Sequence, residues 1–224
     1  MLQAIIFDMD GVIVDTEYVE FDLQQQFIES IKEHNQPITL EQRSEVVGQS
    51  LREIPKIIKK LSGSSLSIEE IRTRYYAFFN ELFSKVDYRS IFRQDIDKII
   101  QFAKQNQIKL AVASSSRMNH INNILSACGI KDQFDLIVSG EIFERSKPDP
   151  TIYRYTLEKL GVSAENAVAV EDSFYGMQAA KNAGLRVIGY EEKRMIIDQS
   201  LADYLCKDMN EILAIVMKIH QQQI

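Results

Sequence analysis

Two carboxylates one residue apart, Asp8 and Asp10, close the apolar run Ala4-Ile5-Ile6-Phe7. A short apolar run of this kind reads as a buried strand, and the C-terminal edge of an open α/β sheet is where ligands bind. Side chains alternate along a strand, so the two acids share a face if the extended backbone continues past Phe7. Gly11 then permits a turn that other residues resist. Such a pair suits a nucleophile with an acid/base partner, or a hard-cation site. Three more chemistry-bearing stations follow. Ser114 ends the run Leu110-Ala111-Val112-Ala113, Lys147 sits in Ser146-Lys147-Pro148-Asp149-Pro150, and Glu171-Asp172 ends Ala167-Val168-Ala169-Val170. A hydroxyl at a strand end can bond a phosphate oxygen, and the first amides of the next helix can bind the same group. An ammonium beside a carboxylate keeps that carboxylate ionised and neutralises anionic charge. Each station also has an ordinary structural reading: a serine N-cap, a solvated surface lysine, an acidic helix N-terminus.

The elements that must position these groups fall into two patterns. From residue 16 to about 88 the chain reads as all-helical. Val19, Leu23, Phe27, Ile28 and Ile31 share one helical face, and Ile71, Tyr75, Phe78, Phe79 and Leu82 another. Thr39–Gln42 and Ser67–Glu70 have the form of capping boxes. From about residue 91 helices and strands alternate. Ile96–Ala103 reads as a helix, Leu110–Ala113 as a strand, Met118–Cys128 as a helix stopped by Gly129, and Leu136–Val138 as a strand. Asp149-Pro150 reads as the N-cap and first residue of a helix ending near Gly161. Ala167–Val170 and Arg186–Ile188 are strands flanking a helix that ends near Gly184, and Asp208 caps a last helix with Ile212, Ile215, Val216 and Ile219 on one face. Alternation of this kind implies a parallel sheet with helices on both sides. The expected fold class is therefore α/β: a Rossmann-like parallel core from residues 1–15 and 89–224, and an inserted all-helical cap from 16–88.

The 224 residues are 45% hydrophobic, enough for one full core plus a smaller unit. A net charge of −6 argues against a nucleic-acid partner, which needs a basic face. It does not argue against an anionic substrate, because a metal and a few local cations reverse the sign inside a cleft. Cys128 and Cys206 lie far apart without metal-ligand spacing and read as buried thiols in a reducing compartment. No apolar run approaches the roughly 18 residues of a membrane span, and the N-terminus lacks a signal-peptide pattern. The expectation is a cytoplasmic, monomeric protein with no membrane partner. His34, His120 and His220 form no cluster and receive no role.

Asp8-Met9-Asp10-Gly11-Val12-Ile13-Val14-Asp15-Thr16 resembles motif I of the haloacid dehalogenase superfamily, D-x-D-G-x-x-x-D-[TS], in the branch holding β-phosphoglucomutase and the small sugar-phosphate phosphatases. Ser114, the S-K-P-D-P segment and Glu171-Asp172-Ser173-Phe174-Tyr175-Gly176 match the remaining motifs in order. The resemblance implies that Asp8 is the nucleophile and that Asp10 protonates the leaving oxygen and later takes a proton from water. It implies that Ser114 and the Ser115 backbone N–H bind phosphate and that Lys147 is catalytic and phosphate-binding. Mg²⁺ is the implied cofactor, held by Asp8, Asp172 and the Asp10 carbonyl, with Glu171 acting as a nearby ligand or through water. Gly176 is expected to let its helix approach the sheet closely.

The function so implied is Mg²⁺-dependent hydrolysis of a small phosphate monoester, such as a sugar phosphate, through an aspartyl-phosphate. The alternatives are a phosphosugar mutase and, in another class, a non-catalytic binding protein that uses Tyr75, Tyr76, Phe78 and Phe79 as a partner surface. Two departures weigh against the mutase. The place of its cap histidine holds Glu20, and the place of its cap arginine in Gly48-Gln49-Ser50-Leu51 holds Leu51, with Arg52 one residue later. A mutase that loses cationic partners for a second phosphate loses strong charge-assisted bonds. Glu17 instead resembles the phosphatases of the branch. Glu17, Glu20 and Arg52 are the candidate specificity residues. Dehalogenases lack the second aspartate of motif I, and no cap lysine marks a phosphonatase.

Overall fold

A computed structural model describes residues 1–49 and 52–222. It opens with β1 (Ala4–Phe7) and then α1 (Thr16–Ile31), α2 (Leu40–Arg43), α3 (Ile54–Ser62) and α4 (Ile68–Phe83). The chain continues through α5 (Ile96–Gln105), β2 (Lys109–Ser114), α6 (Met118–Ala127), β3 (Leu136–Ser139), α7 (Thr151–Leu160), β4 (Ala167–Glu171), α8 (Phe174–Asn182), β5 (Arg186–Tyr190), β6 (Tyr204–Cys206) and α9 (Met209–Gln222). The strands form one sheet in the order β3-β2-β1-β4-β5-β6, and every pairing is parallel. This is the expected α/β fold with an all-helical insert after the first strand.

β1 lies between β2 and β4, with Phe7 level with Val112 on one side and Val170 on the other. The chain leaves β1 toward β2 and β3, then crosses to β4 on the far side. The crevice at such a reversal is the usual ligand site of an open α/β sheet. Small and large residues alternate along the central strands, and the two faces differ accordingly. One face presents Ile5, Phe7, Leu110, Val112, Val168, Val170 and Ile188, packed with buried residues of α5, α6 and α9. The other presents Ala4, Ile6, Ala111, Ala113, Ala167, Ala169 and Val187, packed with α7 and α8. The alanines leave volume on that second face for a large side chain, Tyr153 of α7, which is completely buried.

Compact packing divides the chain into one unit of Met1–Asp15, Tyr88–Glu191 and Asp198–Ile224, and another of Thr16–Asp87 with Glu192–Ile197. The short segment Glu192–Ile197, read from sequence as part of the core, thus clusters with the helices. Met195 packs with Phe21 and Val46, the Ile196 N–H donates to Ser44 Oγ at 2.9 Å, and the Arg194 guanidinium lies 3.9 Å above the Tyr18 ring. The helical unit has its own apolar centre of Phe27, Ile28, Ile38, Ile54, Ile58, Leu61, Ile71 and Tyr75. Both capping boxes form, at Thr39–Gln42 and Ser67–Glu70. The aromatic stripe of α4 packs inward: Phe27 lies 5.5 Å from both Tyr75 and Phe78, and Tyr75 lies 5.7 Å from Phe79.

Two details depart from the sequence reading. β6 is missing from it, because three residues with an exposed Leu205 at the centre give no apolar run. α7 starts at Thr151, with Pro150 at the N-cap position and the Asp149 carboxylate accepting the Thr151 N–H at 2.9 Å. Among the described residues, no helix is long and apolar enough to cross a membrane.

Candidate active site

The strand ends bring the site together at one edge of the sheet. Asp8 follows β1 directly, and its N–H donates to the Val170 carbonyl at 2.9 Å, so it stays in register with β4. Gly11 takes a φ of +74°, and the Met9 carbonyl accepts the N–H groups of Ile13 and Val14 at 2.8 and 3.2 Å. That tight turn keeps Asp10 at the sheet edge rather than in a longer loop. Ser114 is the last residue of β2, and Glu171 the last of β4.

Lys147 is the hub. Its Nζ donates to Asp8 Oδ1 at 2.6 Å, to Glu171 Oε1 at 2.6 Å and to the Ala113 carbonyl at 3.1 Å. All three donor directions of an ammonium are thereby used inside the protein. The surface-lysine reading therefore fails: the Lys147 side chain is 8% exposed and that of Glu171 is 0% exposed. Burial alone would pull the lysine down, but the Asp8 and Glu171 carboxylates outweigh it and hold Lys147 well above its ordinary value. Burial pushes Asp8 up to about 7, with Lys147 pulling against it and the negative charges of Glu171 and Asp10 adding to the rise.

Glu171 is held from several sides. The Tyr153 hydroxyl donates to its Oε1 at 2.5 Å, and the Ser173 hydroxyl to its Oε2 at 3.4 Å. A Cβ on Gly176 would stand 2.1 Å from Glu171 Oε2. Gly176 thus makes room for a carboxylate, where the sequence reading has it easing helix–sheet contact. Ser173 also caps α8, accepting the Gly176 N–H at 3.1 Å.

A second chain of hydrogen bonds runs from β2 to Asp10. Ser114 Oγ accepts the Ser116 N–H at 3.1 Å, and the Ser116 hydroxyl donates to Asp10 Oδ2 at 2.8 Å. The Ser139 hydroxyl at the end of β3 donates to the Ser116 carbonyl at 2.7 Å. Ser114 is buried, while Ser115 is exposed at the start of the loop toward α6. Ser116 and Tyr153 escape the sequence reading. Ser116 is one of three consecutive serines that only geometry can separate, and Tyr153 looks like a helical core residue.

Asp8, Glu171 and Asp172 offer carboxylate oxygens that all lie within 4.8 Å of one another. Clustered hard oxygen donors at a buried position fit a divalent cation such as Mg²⁺. Both oxygens of Glu171 also accept hydrogen bonds within the protein.

The candidate specificity residues belong to the helical unit. Glu17 and Glu20 are half-buried on α1, and Arg52 is exposed. Glu20 and burial together raise the Tyr75 phenol, burial foremost, to about 12, with Gln24 opposing by a hydrogen bond. Ser50 and Leu51 lie outside the described residues. His34 Nε2 lies 2.8 Å from the Leu61 carbonyl, while His120 and His220 pack edge-on against Tyr88 and Phe102.

The model of the haloacid dehalogenase-like hydrolases matches residues 5–190. A phosphorylated carbohydrates phosphatase of Thermotoga maritima is 32% identical, with 84% of each chain covered. A β-phosphoglucomutase of Bacillus subtilis is 28% identical over 89% of this chain and 88% of that one. Among solved structures, a putative β-phosphoglucomutase from Thermotoga maritima superposes with a TM-score of 0.72 at 29% identity, covering 97% of this chain and 99% of the other. A match that runs from the first strand to the fifth, through every station of the buried cluster, makes this chain a member of the haloacid dehalogenase-like hydrolase family.

Proposed function

We propose that this hydrolase is a Mg²⁺-dependent phosphatase that cleaves a small phosphate monoester through an aspartyl-phosphate on Asp8. The observation that carries the reading is the Lys147 ammonium 2.6 Å from both Asp8 and Glu171, in a pocket where buried acids otherwise repel a phosphate dianion. Asp8 attacks phosphorus, and the P–O bond to the leaving alcohol breaks as the Asp8–phosphorus bond forms. Asp10 gives its proton to the departing oxygen, then takes one from the water that attacks the aspartyl-phosphate. That second attack releases inorganic phosphate and regenerates both aspartates. Lys147 offsets the charge gathering on the phosphoryl oxygens, and the Ser114 hydroxyl and Ser115 N–H donate to them. Asp8, Asp172 and the Asp10 carbonyl would hold Mg²⁺, whose charge neutralises the phosphate and steadies the transition state.

The substrate class is a phosphorylated carbohydrate. Support comes from the relative named as a phosphorylated carbohydrates phosphatase. The β-phosphoglucomutase relatives keep a mutase as the second reading. Glu20 and Leu51, where the mutase pattern has a histidine and an arginine, favour hydrolysis.

The deciding experiment is a phosphate-release screen over a panel of metabolite phosphates, with Mg²⁺ and with a chelator. Release that requires Mg²⁺ and favours sugar phosphates is the expected result. Interconversion of phosphoglucose isomers without net phosphate release would establish the mutase instead.

A further inference from the structure

Tyr153 takes no part in the reaction just described, yet it is the bulkiest of the completely buried side chains. It is the third residue of α7 and sits on the alanine-rich face of the sheet. A buried tyrosine hydroxyl needs a partner. The partner here is the carboxylate that also binds the Lys147 ammonium, with Tyr153 and Lys147 both donating to Glu171 Oε1 at 2.5 and 2.6 Å. The Tyr153 ring centroid lies 5.2 Å from Lys147 Nζ, so ring and hydroxyl act on the two ends of one ion pair.

Lys147 divides its hydrogen bonds between Asp8 and Glu171. Its place beside Asp8 therefore depends on where Glu171 stands. Ser173 holds the other oxygen of Glu171 at 3.4 Å, and the missing side chain of Gly176 leaves the space in which the carboxylate lies. Tyr153 supplies the shortest of these restraints. Without it, Glu171 Oε1 is held by the lysine alone, and the pair is free to shift toward Asp8 and cover the attacking carboxylate.

We propose that Tyr153 is a positioning residue for phosphoryl transfer: its hydroxyl commits Glu171 to be the counter-ion of Lys147, and through that pair it sets how the ammonium meets Asp8. This rests on the phosphatase reading.

The test is Tyr153→Phe, which removes one hydroxyl and keeps the ring. On a generic aryl phosphate with saturating Mg²⁺, kcat falls by roughly 10- to 100-fold, the usual cost of losing an outer partner. KM stays within about threefold, as expected when ground-state binding is spared. Mg²⁺ affinity of the metal-free protein, measured by calorimetry, also stays near wild type, whereas Asp172→Asn loses most of it. A proton NMR spectrum of the wild type shows a solvent-protected hydroxyl resonance downfield of the amides, lost in Tyr153→Phe and in Glu171→Gln. A kcat within about twofold of wild type, or a loss of Mg²⁺ affinity matching Asp172→Asn, overturns the proposal. So does the absence of the hydroxyl resonance from the wild type, a measurement that needs no variant to fold. If the wild type releases phosphate from no ester under any condition, the phosphatase reading fails instead, and the resonance and the calorimetry decide the Tyr153–Glu171 link without reference to turnover.

Discussion

The sheet edge and the helical unit treat their charged residues in opposite ways. At the sheet edge, acids and a lysine are removed from water and every contact is fixed: Lys147 has three partners, and Glu171 accepts from Lys147, Tyr153 and Ser173. In the helical unit, ion pairs such as Lys60–Glu45 and Lys56–Glu53 are exposed side-chain contacts, and the centre is mainly apolar, with neutral polar side chains such as Gln24 and Ser62 buried beside it. Surface pairs contribute little to stability, while a buried network fails badly if one member is lost. Under the proposed function, the difference teaches that the chemistry is built into the sheet, where change is costly, and that discrimination among substrates falls to a surface that varies cheaply.

The largest effect expected of that contrast is on turnover. Asp8→Asn keeps the volume and leaves Lys147 paired with Glu171, so the protein folds. Its phosphate release falls on the order of a thousandfold or more, as when a covalent nucleophile is removed. Near-normal release would remove Asp8 from the reaction and, with it, the contrast.

Next comes Lys147→Met, which leaves two buried carboxylates without their cation. Breaking a buried pair in this way costs about 3–5 kcal/mol of stability, read as a lower midpoint in urea. By contrast, Lys60→Met in the helical unit lowers stability by less than about 1 kcal/mol, with a correspondingly smaller shift of the midpoint. Equal shifts in the two variants would show that the buried cluster is no more demanding than the surface.

A pH titration of stability is smaller and finer. The metal-free folded state holds Asp8 protonated up to about 7, against 3.8 for an unburied aspartate. Between these values the folded state binds the extra proton, so the Asp8 contribution to stability is present below the lower value and is lost as pH rises through the upper one. Urea midpoints of the metal-free protein, followed from acid to neutral pH, fall across that window, and Asp8→Asn flattens the fall.

The smallest effects belong to the helical unit. Glu17→Ala, Glu20→Ala and Arg52→Ala change KM for the preferred ester by about tenfold or less and leave Mg²⁺ affinity alone, as the proposed division of labour requires. A drop in Mg²⁺ affinity for any of them would erase the division between the two regions.

Much of the sheet-edge site is legible in the chain because strand ends are legible. Asp8, Ser114, and Glu171 with Asp172 each follow an apolar run whose end marks the edge of the sheet. Lys147 is readable through the prolines around it and through the resemblance of its segment, since nothing in a lone lysine announces burial. Tyr153 and Ser116 are hidden for a physical reason. Their roles come from hydrogen bonds to residues far away in sequence, Glu171 and Asp10, and no local pattern encodes a distant partner. Gly176 illustrates the same limit: a glycine two residues into a helix signals closeness to something, but only the packed chain reveals that the neighbour is a carboxylate. β6 escaped because three residues carry too little alternation to stand out.

Glu192–Ile197 has a consequence for how such a molecule can be inherited. The helices are followed in the chain by β2 to β5 and then rejoined by six residues that lie beyond β5, which bring Arg194 onto Tyr18, Met195 onto Phe21 and Val46, and the Ile196 amide to Ser44. A recombination event that exchanged only Thr16–Asp87 between two relatives would deliver half of a packing arrangement, with the foreign helices meeting a native strap shaped for others. The piece between the first two strands is therefore not a freely interchangeable module. Its history should be written as paired substitutions, with changes at positions 18, 21, 44 and 46 tracked by changes at 194–196.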